Sequence, residues 1–317
     1  VDGNGNGRID TVYGGDLQGN LWKFDLSANT ASSWAVAFSG SPMFTATSPD
    51  GARQPITGGI DVARGAGGLM VFFGTGRYLA GEDAEAGTNP QIQSLYGVRD
   101  SGTQSSGTRA NLQRQEISAT VTGTRDTRTT TNNPVNFSTQ RGWYLDLIVG
   151  TNAVAERFTG DPEVRGGVVF LPTFETTGDR CSPGAQNWIY GVDAITGSSA
   201  LGGTASANGG TVCGASCGAI EVSSGAPIRS AVFSQQAAVC RPGIDPGCSS
   251  SVPTPESIAA SCAGKTGADL QTCIANLTSG PSGPNAAGAQ TRCGEVERQT
   301  GALFERACGR QSWRQVR

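Results

Sequence analysis

The chain opens with Asp2-Gly3-Asn4-Gly5-Asn6-Gly7-Arg8-Ile9-Asp10 and runs directly into Thr11-Val12-Tyr13-Gly14-Gly15. In the first stretch, oxygen-bearing side chains alternate with other residues, mostly glycine, and Gly7 follows the third oxygen ligand. This order matches the first three quarters of an EF-hand-type calcium loop. The second stretch has the pattern of a β-strand, and no amphipathic helix flanks the loop. We therefore expect a calcium loop attached to a β-fold.

Five residues are the expected ligands of this loop. A hard cation such as Ca²⁺ prefers several oxygen donors around one point. The twelfth loop position is Tyr13 instead of a bidentate glutamate, and only two of the ligands carry a charge, so the sequence predicts a modest affinity. The alternative is a Gly/Asn/Asp-rich turn without an ion. The side chains of Asp2, Asn4, Asn6 and Asp10 and the main-chain carbonyl of Arg8 form the expected set.

Three segments further along the chain repeat one pattern, an aliphatic residue followed by Tyr-Gly and then by an acidic residue. They are 12–16, 95–100 and 189–193. Other strand-like runs cover 20–26, 69–73, 142–148 and 168–174, and turns rich in Gly, Asn and Asp separate them. Short strands with recurring turn residues favour an all-β fold of the β-propeller type, in which each blade is a small antiparallel sheet. The repeats are further apart than plain blades, so we expect insertions.

Two insertions are visible in the composition. Residues 101–136 are rich in Thr, Ser, Arg, Gln and Asn, which predicts an exposed loop or an irregular hairpin. Residues 236–300 are rich in Cys, Gly and Pro, and a weak helical pattern over 255–277 predicts a small, partly helical hairpin stapled by disulfides. The expected organisation is propeller blades over 1–235, this second insertion, and a closing strand within 301–317. With about three blade cores, the propeller is incomplete in this chain.

The cysteines indicate an oxidising compartment, because nine of them lie in the second half of the chain. Zinc is the competing explanation for Cys213 and Cys217, but no matching second pair follows and the sequence has no histidine. Disulfides are therefore favoured. Local bridges are plausible for 240–248, 262–273 and 293–308, although spacing does not fix the pairing. The odd number leaves one thiol free or paired outside this segment.

Size and charge set further bounds. The 317 residues suffice for one large domain or two ordinary ones. A net charge of −3 gives no electrostatic reason to expect a nucleic-acid partner. No apolar run approaches the length of a membrane span. Because Val1 precedes the expected metal loop by one residue, we expect the chain to be a piece of a longer polypeptide.

Catalysis is not expected. The sequence has no histidine, which is the usual base for a Ser or Cys nucleophile. The two lysines, Lys23 and Lys265, lie in no motif of a Ser–Lys enzyme. The acidic residues 82, 83 and 85 are interpreted as a solvated turn instead of a carboxylate pair for glycoside hydrolysis. The tryptophans at 22, 143, 188 and 313 are interpreted as blade packing and not as a sugar-binding platform.

Several motifs, taken in order, resemble one family. They are the loop 2–10 with the strand pair 12–26, the segments 73–79, 142–147 and 181–184, the segment 188–197, and the terminal 309–315. Together they resemble the C-terminal β-propeller of the PilY-type proteins, which are type IV pilus tip-associated adhesins and biogenesis factors. The resemblance implies a propeller similar to quinoprotein dehydrogenases. It also implies that Asp2, Asn4, Asn6, Arg8 and Asp10 hold calcium. The family loop often has Asp where this chain has Asn4 and Asn6.

The same resemblance implies a function and a place for the protein. In this family the ion controls pilus extension against retraction, and the protein acts with minor pilins at the fibre tip, in twitching motility and in surface attachment. An extracytoplasmic location follows, at the pilus tip, the bacterial cell surface or outer membrane, or secreted. Two alternatives remain open. A quinoprotein dehydrogenase would need adjacent cysteines that this chain lacks, and an integrin-like adhesive propeller binding a host receptor would repeat the loop in several blades.

Overall fold

The computed structural model describes residues 1–3, 5–65, 67–79, 83, 87, 90–103, 107–123, 125–176, 184–202, 205–206, 213–235, 292–297 and 302–307. The chain divides into two compact units. The first contains 1–234, 296–304 and 312–317, and the second contains 235–295 and 305–311. In the described part of the first unit the structure is almost wholly β, and short helical turns occur at Ala31–Ser33, Ala37–Gly40 and Arg109–Asn111. The all-β prediction is confirmed.

The strands are short and follow one another closely, as expected from the frequent turn residues. In chain order they are β1 Thr11–Gly15, β2 Asn20–Asp25, β3 Ala35–Val36, β4 Phe44–Thr45, β5 Asp61–Gly65, β6 Gly68–Gly74, β7 Ser94–Asp100, β8 Gly107–Thr108, β9 Gln113–Val121, β10 Thr127–Thr130, β11 Gly142–Val149, β12 Asn152–Ala153, β13 Glu156–Arg157, β14 Glu163–Arg165, β15 Val168–Thr176, β16 Ala185–Asp193, β17 Ala205–Ser206, β18 Cys217–Gly225, β19 Phe233–Gln235, β20 Arg292–Glu297 and β21 Ala302–Ala307.

Two sheets organise the first unit. The smaller has the order β1-β2-β4-β8, with β3 paired to β2, so β1 is its edge strand. The larger has the order β13-β15-β16-β18-β10-β9-β11-β7-β6-β5, with β12 on β11 and β14 on β15. Most neighbours are antiparallel, and β9 with β11 is a parallel exception. Antiparallel hairpins explain why short turns suffice between many consecutive strands.

The larger sheet carries a hydrophobic core on each face. Phe72, Trp143 and Tyr190 belong to a cluster on one face, whereas Phe73 and Tyr96 belong to a cluster on the opposite face, which the smaller sheet also helps to form. Because side chains alternate along a strand, burial on both faces requires a continuous apolar run. The sequence Leu-Met-Val-Phe-Phe within β6 is such a run. The second cluster therefore packs the smaller sheet, which carries the amino-terminal loop, against one face of the larger sheet.

The recurring Tyr-Gly pairs have a packing cause in two of the three repeats. A Cβ on Gly97 would lie 2.4 Å from the indole of Trp143, which is directly opposite on β11. A Cβ on Gly191 would lie 2.2 Å from Leu201. At Gly14 the nearest atom would be at an ordinary 3.7 Å, in Phe24. Glycine in the second and third repeats therefore leaves room for a large apolar side chain from a neighbouring segment.

The strand predictions over 11–15, 20–26, 69–73, 95–100, 142–148, 168–174 and 189–193 are confirmed. Of the two alternatives predicted for 101–136, an exposed loop or an irregular hairpin, the central part has the hairpin, and most of β9 is exposed. There β9 and β10 form a hairpin that is built into the larger sheet, between β11 and β18. Gln115, Ile117 and Arg128 are buried in it. The polar composition concealed this burial, because the inward polar groups are hydrogen-bonded inside the protein.

The cysteine predictions are tested at one position. Cys213 and Cys217 form a disulfide, with their Cα atoms 5.6 Å apart. This disulfide removes the zinc alternative there. The three local bridges proposed above, the helical hairpin over 255–277 and the alternating strand 312–316 depend on residues that lie outside the described parts of the chain, as do Trp313 and Lys265. Trp143 and Trp188 are buried, as expected for packing residues.

Candidate metal site

The predicted calcium loop lies at the start of β1 and is closed at its base by main-chain hydrogen bonds. The carbonyl oxygen of Val1 accepts from the N–H groups of Asp10 and Thr11 at 2.9 and 3.2 Å. The main-chain nitrogen of Val1 donates to the carbonyl of Thr11 at 2.7 Å. The carbonyl of Asp10 accepts from Leu26 at 2.8 Å, which continues the β1–β2 ladder. Both ends of the loop are therefore fixed to the edge strand of the smaller sheet.

The interior of the loop is organised around one carboxylate. Asp2 Oδ1 accepts from the N–H groups of Gly5 and Asn6 at 2.6 and 3.1 Å, and Asp2 Oδ2 accepts from Gly7 at 2.8 Å. Asn6 Oδ1 accepts from the N–H of Arg8 at 2.8 Å. Gly5 and Gly7 have φ angles of 79° and 86°, which side-chain-bearing residues rarely adopt. The two glycines therefore let the backbone curl around the Asp2 carboxylate.

Four of the five predicted ligands fall in the described residues. Asp2 and Asp10 are half-buried, whereas Asn6 and Arg8 are exposed, and Asn4 lies outside the described residues. The two acidic ends of the loop come together at Gly3, since a Cβ placed there would lie 4.0 Å from Asp10 Oδ2.

The donor set is consistent with a hard cation, because it consists of carboxylate, amide and main-chain oxygens. Within the described residues no group of three or more His, Cys, Asp or Glu side chains could hold a metal. The loop is a different kind of site, since only two of its donors are carboxylates.

Two arginines connect this loop to other parts of the fold. Arg8 Nη1 donates to Asn29 Oδ1 at 3.0 Å, in the connection that follows β2. Arg64 Nη2 donates to the carbonyl oxygen of Gly3 at 2.6 Å, from β5 in the larger sheet. No local pattern indicates a role for Arg64, because 61 residues separate it from Gly3 and only the arrangement of the sheets brings them together.

Lys23, one of the two lysines considered for catalysis, has structural partners. Lys23 Nζ lies 2.6 Å from Asp100 Oδ2, and the hydroxyl of Tyr13 donates to the same oxygen at 2.5 Å. Burial works against ionisation of Asp100, but the hydrogen bonds from Lys23 and Tyr13 hold its pKa below the usual value. Lys23 thus forms an ion pair in the fold instead of activating a nucleophile.

The solvated acidic turn predicted over 82–85 needs correction at Asp83. This residue is buried; its carboxylate accepts from Arg77 Nε at 3.0 Å and from the N–H of Leu79 at 2.9 Å. Its burial is compensated by these bonds, so the carboxylate orders the segment that follows β6. Residues 82 and 85 lie outside the described part of the chain.

The described part of the chain contains no helix that is long and apolar enough to span a membrane.

Comparisons with known proteins agree on one family. A profile for the "PilY1 beta-propeller domain" matches residues 1–131. A "Type IV pilus biogenesis factor PilY1 homolog" of Xylella fastidiosa is 36% identical over 339 residues, which covers 100% of this chain and 21% of that protein. The "Type IV pilus biogenesis factor PilY1" of Pseudomonas aeruginosa PAO1 is 37% identical over 233 residues, which covers 62% of this chain and 20% of that protein. The chain thus spans about a fifth of these curated relatives.

A solved structure extends the comparison to three dimensions. The crystal structure of the Pseudomonas aeruginosa PilY1 C-terminal domain superimposes with a TM-score of 0.58 at 30% identity, covering 72% of this chain and 53% of that chain. With the domain profile, this match confirms the predicted β-propeller fold class and the predicted resemblance.

Proposed function

Because the chain is homologous to the C-terminal β-propeller domain of the PilY1 type IV pilus biogenesis factors, we propose that it acts in type IV pilus biogenesis and that its loop 2–10 binds one calcium ion. The observation that supports the calcium proposal is the loop itself. Its oxygen ligands recur at alternating positions, two positive-φ glycines curl it, and hydrogen bonds to Val1 close its base. The function proposed is therefore binding and regulation, and not catalysis.

The residues of the loop explain how calcium would act as a regulator. Asp2 and Asp10 carry two negative charges in one short loop, and the Asp2 carboxylate already holds three backbone N–H groups. Asn4, Asn6 and the main-chain carbonyl of Arg8 complete the proposed oxygen set. Calcium, when bound, supplies the positive charge that balances the two carboxylates. Without that charge the carboxylates repel, so the loop loosens while the distant strands stay folded.

A looser loop changes the surface next to β1, and we propose that this change regulates pilus extension and retraction. The partners proposed are minor pilins at the pilus tip, and the proposed location is the pilus tip or the bacterial cell surface. Roles in twitching motility and surface adhesion follow from the same proposal. The PilY1 biogenesis factors that the chain resembles support the link to pili.

Calorimetric calcium titration of the chain and of Asp10→Asn tests the site. We expect the wild type to bind one calcium ion with a dissociation constant of roughly 10⁻⁶–10⁻³ M, within the range of sensors and extracellular modules. Asp10→Asn should weaken binding at least tenfold, because it removes one of two charged ligands, and it should leave the far-UV circular dichroism spectrum unchanged.

Asp50→Asn is the matched control. Asp50 also accepts hydrogen bonds within an exposed turn, from Ser48 and Ala52, but lies outside the loop. Its replacement should leave calcium binding unaltered. A wild-type chain that stays metal-free in millimolar calcium, or equal binding by wild type and Asp10→Asn, would end the proposal. In cells, pilus number and twitching should change with Asp10→Asn and not with Asp50→Asn.

A further inference from the structure

One side chain joins the amino-terminal loop to the larger sheet. Arg64 lies in β5, which is an edge strand of that sheet, and its Nη2 donates to the carbonyl oxygen of Gly3 at 2.6 Å. The loop itself continues into β1, the edge strand of the smaller sheet. The hydrogen bond from Arg64 to Gly3 therefore bridges the edges of two sheets through a residue of the loop.

The position of Gly3 makes this contact informative. Gly3 lies between the proposed ligands Asp2 and Asn4, and its own carbonyl is not one of the predicted ligands. A Cβ on Gly3 would come within 4.0 Å of Asp10 Oδ2, so the peptide that Arg64 holds lies beside both acidic ends of the loop. The bond is exposed to solvent, so its strength is that of an ordinary hydrogen bond. Arg64 is thus placed to fix the main chain at Gly3, next to Asp2 and close to the carboxylate of Asp10.

The other hydrogen bonds described for the loop do not connect it to the larger sheet. The bonds to Asp2 and to Val1 lie within the first 11 residues. Arg8 reaches Asn29, which follows β2 of the smaller sheet. Arg64 instead connects the loop to the larger sheet, through β5 and the strand β6 that pairs with it.

We propose that Arg64 is a positioning residue for the cation loop and that it couples ion binding to strand β5. This inference rests on the proposed calcium function and adds the route by which the bound ion affects the rest of the fold. Coupling is reciprocal: if the bond to Gly3 favours the loop geometry that binds the ion, ion binding must favour that bond by the same factor. Calcium should therefore reduce local opening of β5, which pairs with β6 on one side and ends the order of the larger sheet.

The charge of Arg64 could have the opposite effect, because a fixed cation near the loop repels calcium. The two effects predict opposite signs for the change in affinity on removing the side chain. A clamp that preorganises the loop predicts weaker binding, and repulsion predicts tighter binding. Arg64→Ala distinguishes them, and Arg64→Lys keeps the charge while it loses the planar fork that fits one fixed position.

Calcium titration and hydrogen exchange of the intact chain test the coupling. We expect Arg64→Ala to weaken calcium binding about fivefold, the effect of losing one hydrogen bond of ordinary strength. Arg64→Lys should lie between wild type and Arg64→Ala. In the wild type, calcium should slow amide exchange over 61–65 several-fold, and in Arg64→Ala this calcium response should vanish. Exchange over 185–193 in β16 should not respond to calcium in either protein.

Arg53→Ala is the matched control, because Arg53 is an exposed arginine that also donates to a main-chain carbonyl, that of Gln18, at 3.0 Å. It should leave both readouts unchanged. If the wild type binds calcium and Arg64→Ala binds equally or more tightly, or keeps the calcium response of β5, the coupling is overturned while the calcium function stands. If the wild type binds no calcium at all, the proposed function itself fails.

Discussion

Two arginine–carboxylate pairs whose carboxylates are buried lie on opposite faces of the larger sheet, and their charges are balanced differently. Arg109 with Asp146 belongs to the face that the smaller sheet covers, and Arg128 with Glu156 belongs to the other face. Both arginines lie over aromatic rings and both carboxylates are almost fully buried. In the first pair the buried polar groups all have partners and the charges balance. In the second pair, negative charge exceeds positive charge.

The first pair is complete in its hydrogen bonds. Arg109 donates to Asp146 Oδ2 and to the carbonyl of Thr47, each at 2.6 Å, and lies 4.4 Å from the ring of Tyr144. Asp146 Oδ1 accepts from Ser94 Oγ at 2.7 Å. Among the described residues, no polar atom of this network is buried without a partner. One positive charge faces one negative charge, so the desolvation cost of each is offset by the other.

The second pair shares its arginine with another carboxylate. Arg128 Nη1 donates to Glu156 Oε2 and to the hydroxyl of Tyr190, and the guanidinium lies 3.8 Å from the ring of Trp188. Glu175 Oε2 lies 3.8 Å from Arg128 Nη2, too far for a hydrogen bond. Within the described part of the chain, Arg128 Nε and Trp188 Nε1 are buried without hydrogen-bond partners.

The register of the strands explains the imbalance. Glu156 on β13 is directly opposite Glu175 on β15, and like charges in that position destabilise a sheet. Two carboxylates thus face one arginine. The first network should behave as a fixed part of the core, and the second should respond to pH and to loss of its single cation.

The largest effect is expected when the second network loses its arginine. Arg128→Met keeps much of the side-chain volume but leaves Glu156 buried beside Glu175 without a cation. We expect the free energy of unfolding to fall by about 3–5 kcal/mol, the usual cost of removing one partner of a buried pair. Urea unfolding of the chain at neutral pH measures this change.

The control for this variant is Arg114→Met, because Arg114 forms an exposed pair with Glu116. Surface pairs contribute at most about 1 kcal/mol. Adding Glu156→Gln to Arg128→Met should recover part of the loss, since it removes the unpaired buried charge. Equal losses for Arg128→Met and Arg114→Met would show that the second network does not contribute as described.

A smaller effect is expected in the first network. Arg109→Met leaves Asp146 with the hydrogen bond from Ser94, and the Arg109 side chain is 16% exposed, compared with 3% for Arg128. Water can therefore replace part of what is lost, and we expect a decrease of about 2–3 kcal/mol in the free energy of unfolding. The same urea experiment compares the two variants. If Arg109→Met costs as much as Arg128→Met, the distinction between the networks is wrong.

The sequence predicts the local features of this molecule better than the distant ones. The calcium-type loop was visible because its ligands, glycines and following strand lie within 15 residues. The main strands were visible because apolar runs and Tyr-Gly turns mark them. Calcium binding by the loop stays a prediction.

The features that sequence reasoning missed depend on which strands become neighbours. Nothing near Arg128 indicates that this residue is buried, since Glu156 and Glu175 approach it only after β10, β13 and β15 join one sheet. Asp83 is a different case: its partner Arg77 is only six residues away, but nothing in the local composition indicates that the carboxylate is buried. Arg64 reaches Gly3 across two sheets. Polar residues whose burial depends on a remote partner cannot be distinguished from solvated ones by local composition.

The smallest expected effect concerns Glu175, and it depends on pH. Burial, and secondarily the charge of Glu156, raise the pKa of Glu175 to about 7, although Arg128 acts in the opposite direction. The folded chain therefore binds a proton more tightly than the unfolded chain does. The contribution of Glu175 to stability is fully present below its pKa in the unfolded chain, near 4.5, and is lost as pH rises through about 7. The Glu175 side chain is 22% exposed, which reduces the effect.

Glu175→Gln removes this titration because the amide stays neutral. Thermal or urea unfolding between pH 5 and pH 8 should show the variant close to wild type at pH 5 and more stable by roughly 1–2 kcal/mol at pH 8, after allowance for partial solvation. Glu116→Gln changes the same charge at an exposed position, and its effect should be similar at both ends of the range. If Glu175→Gln and wild type lose stability in parallel between pH 5 and pH 8, the two carboxylates do not compete for Arg128, and the second network is as balanced as the first.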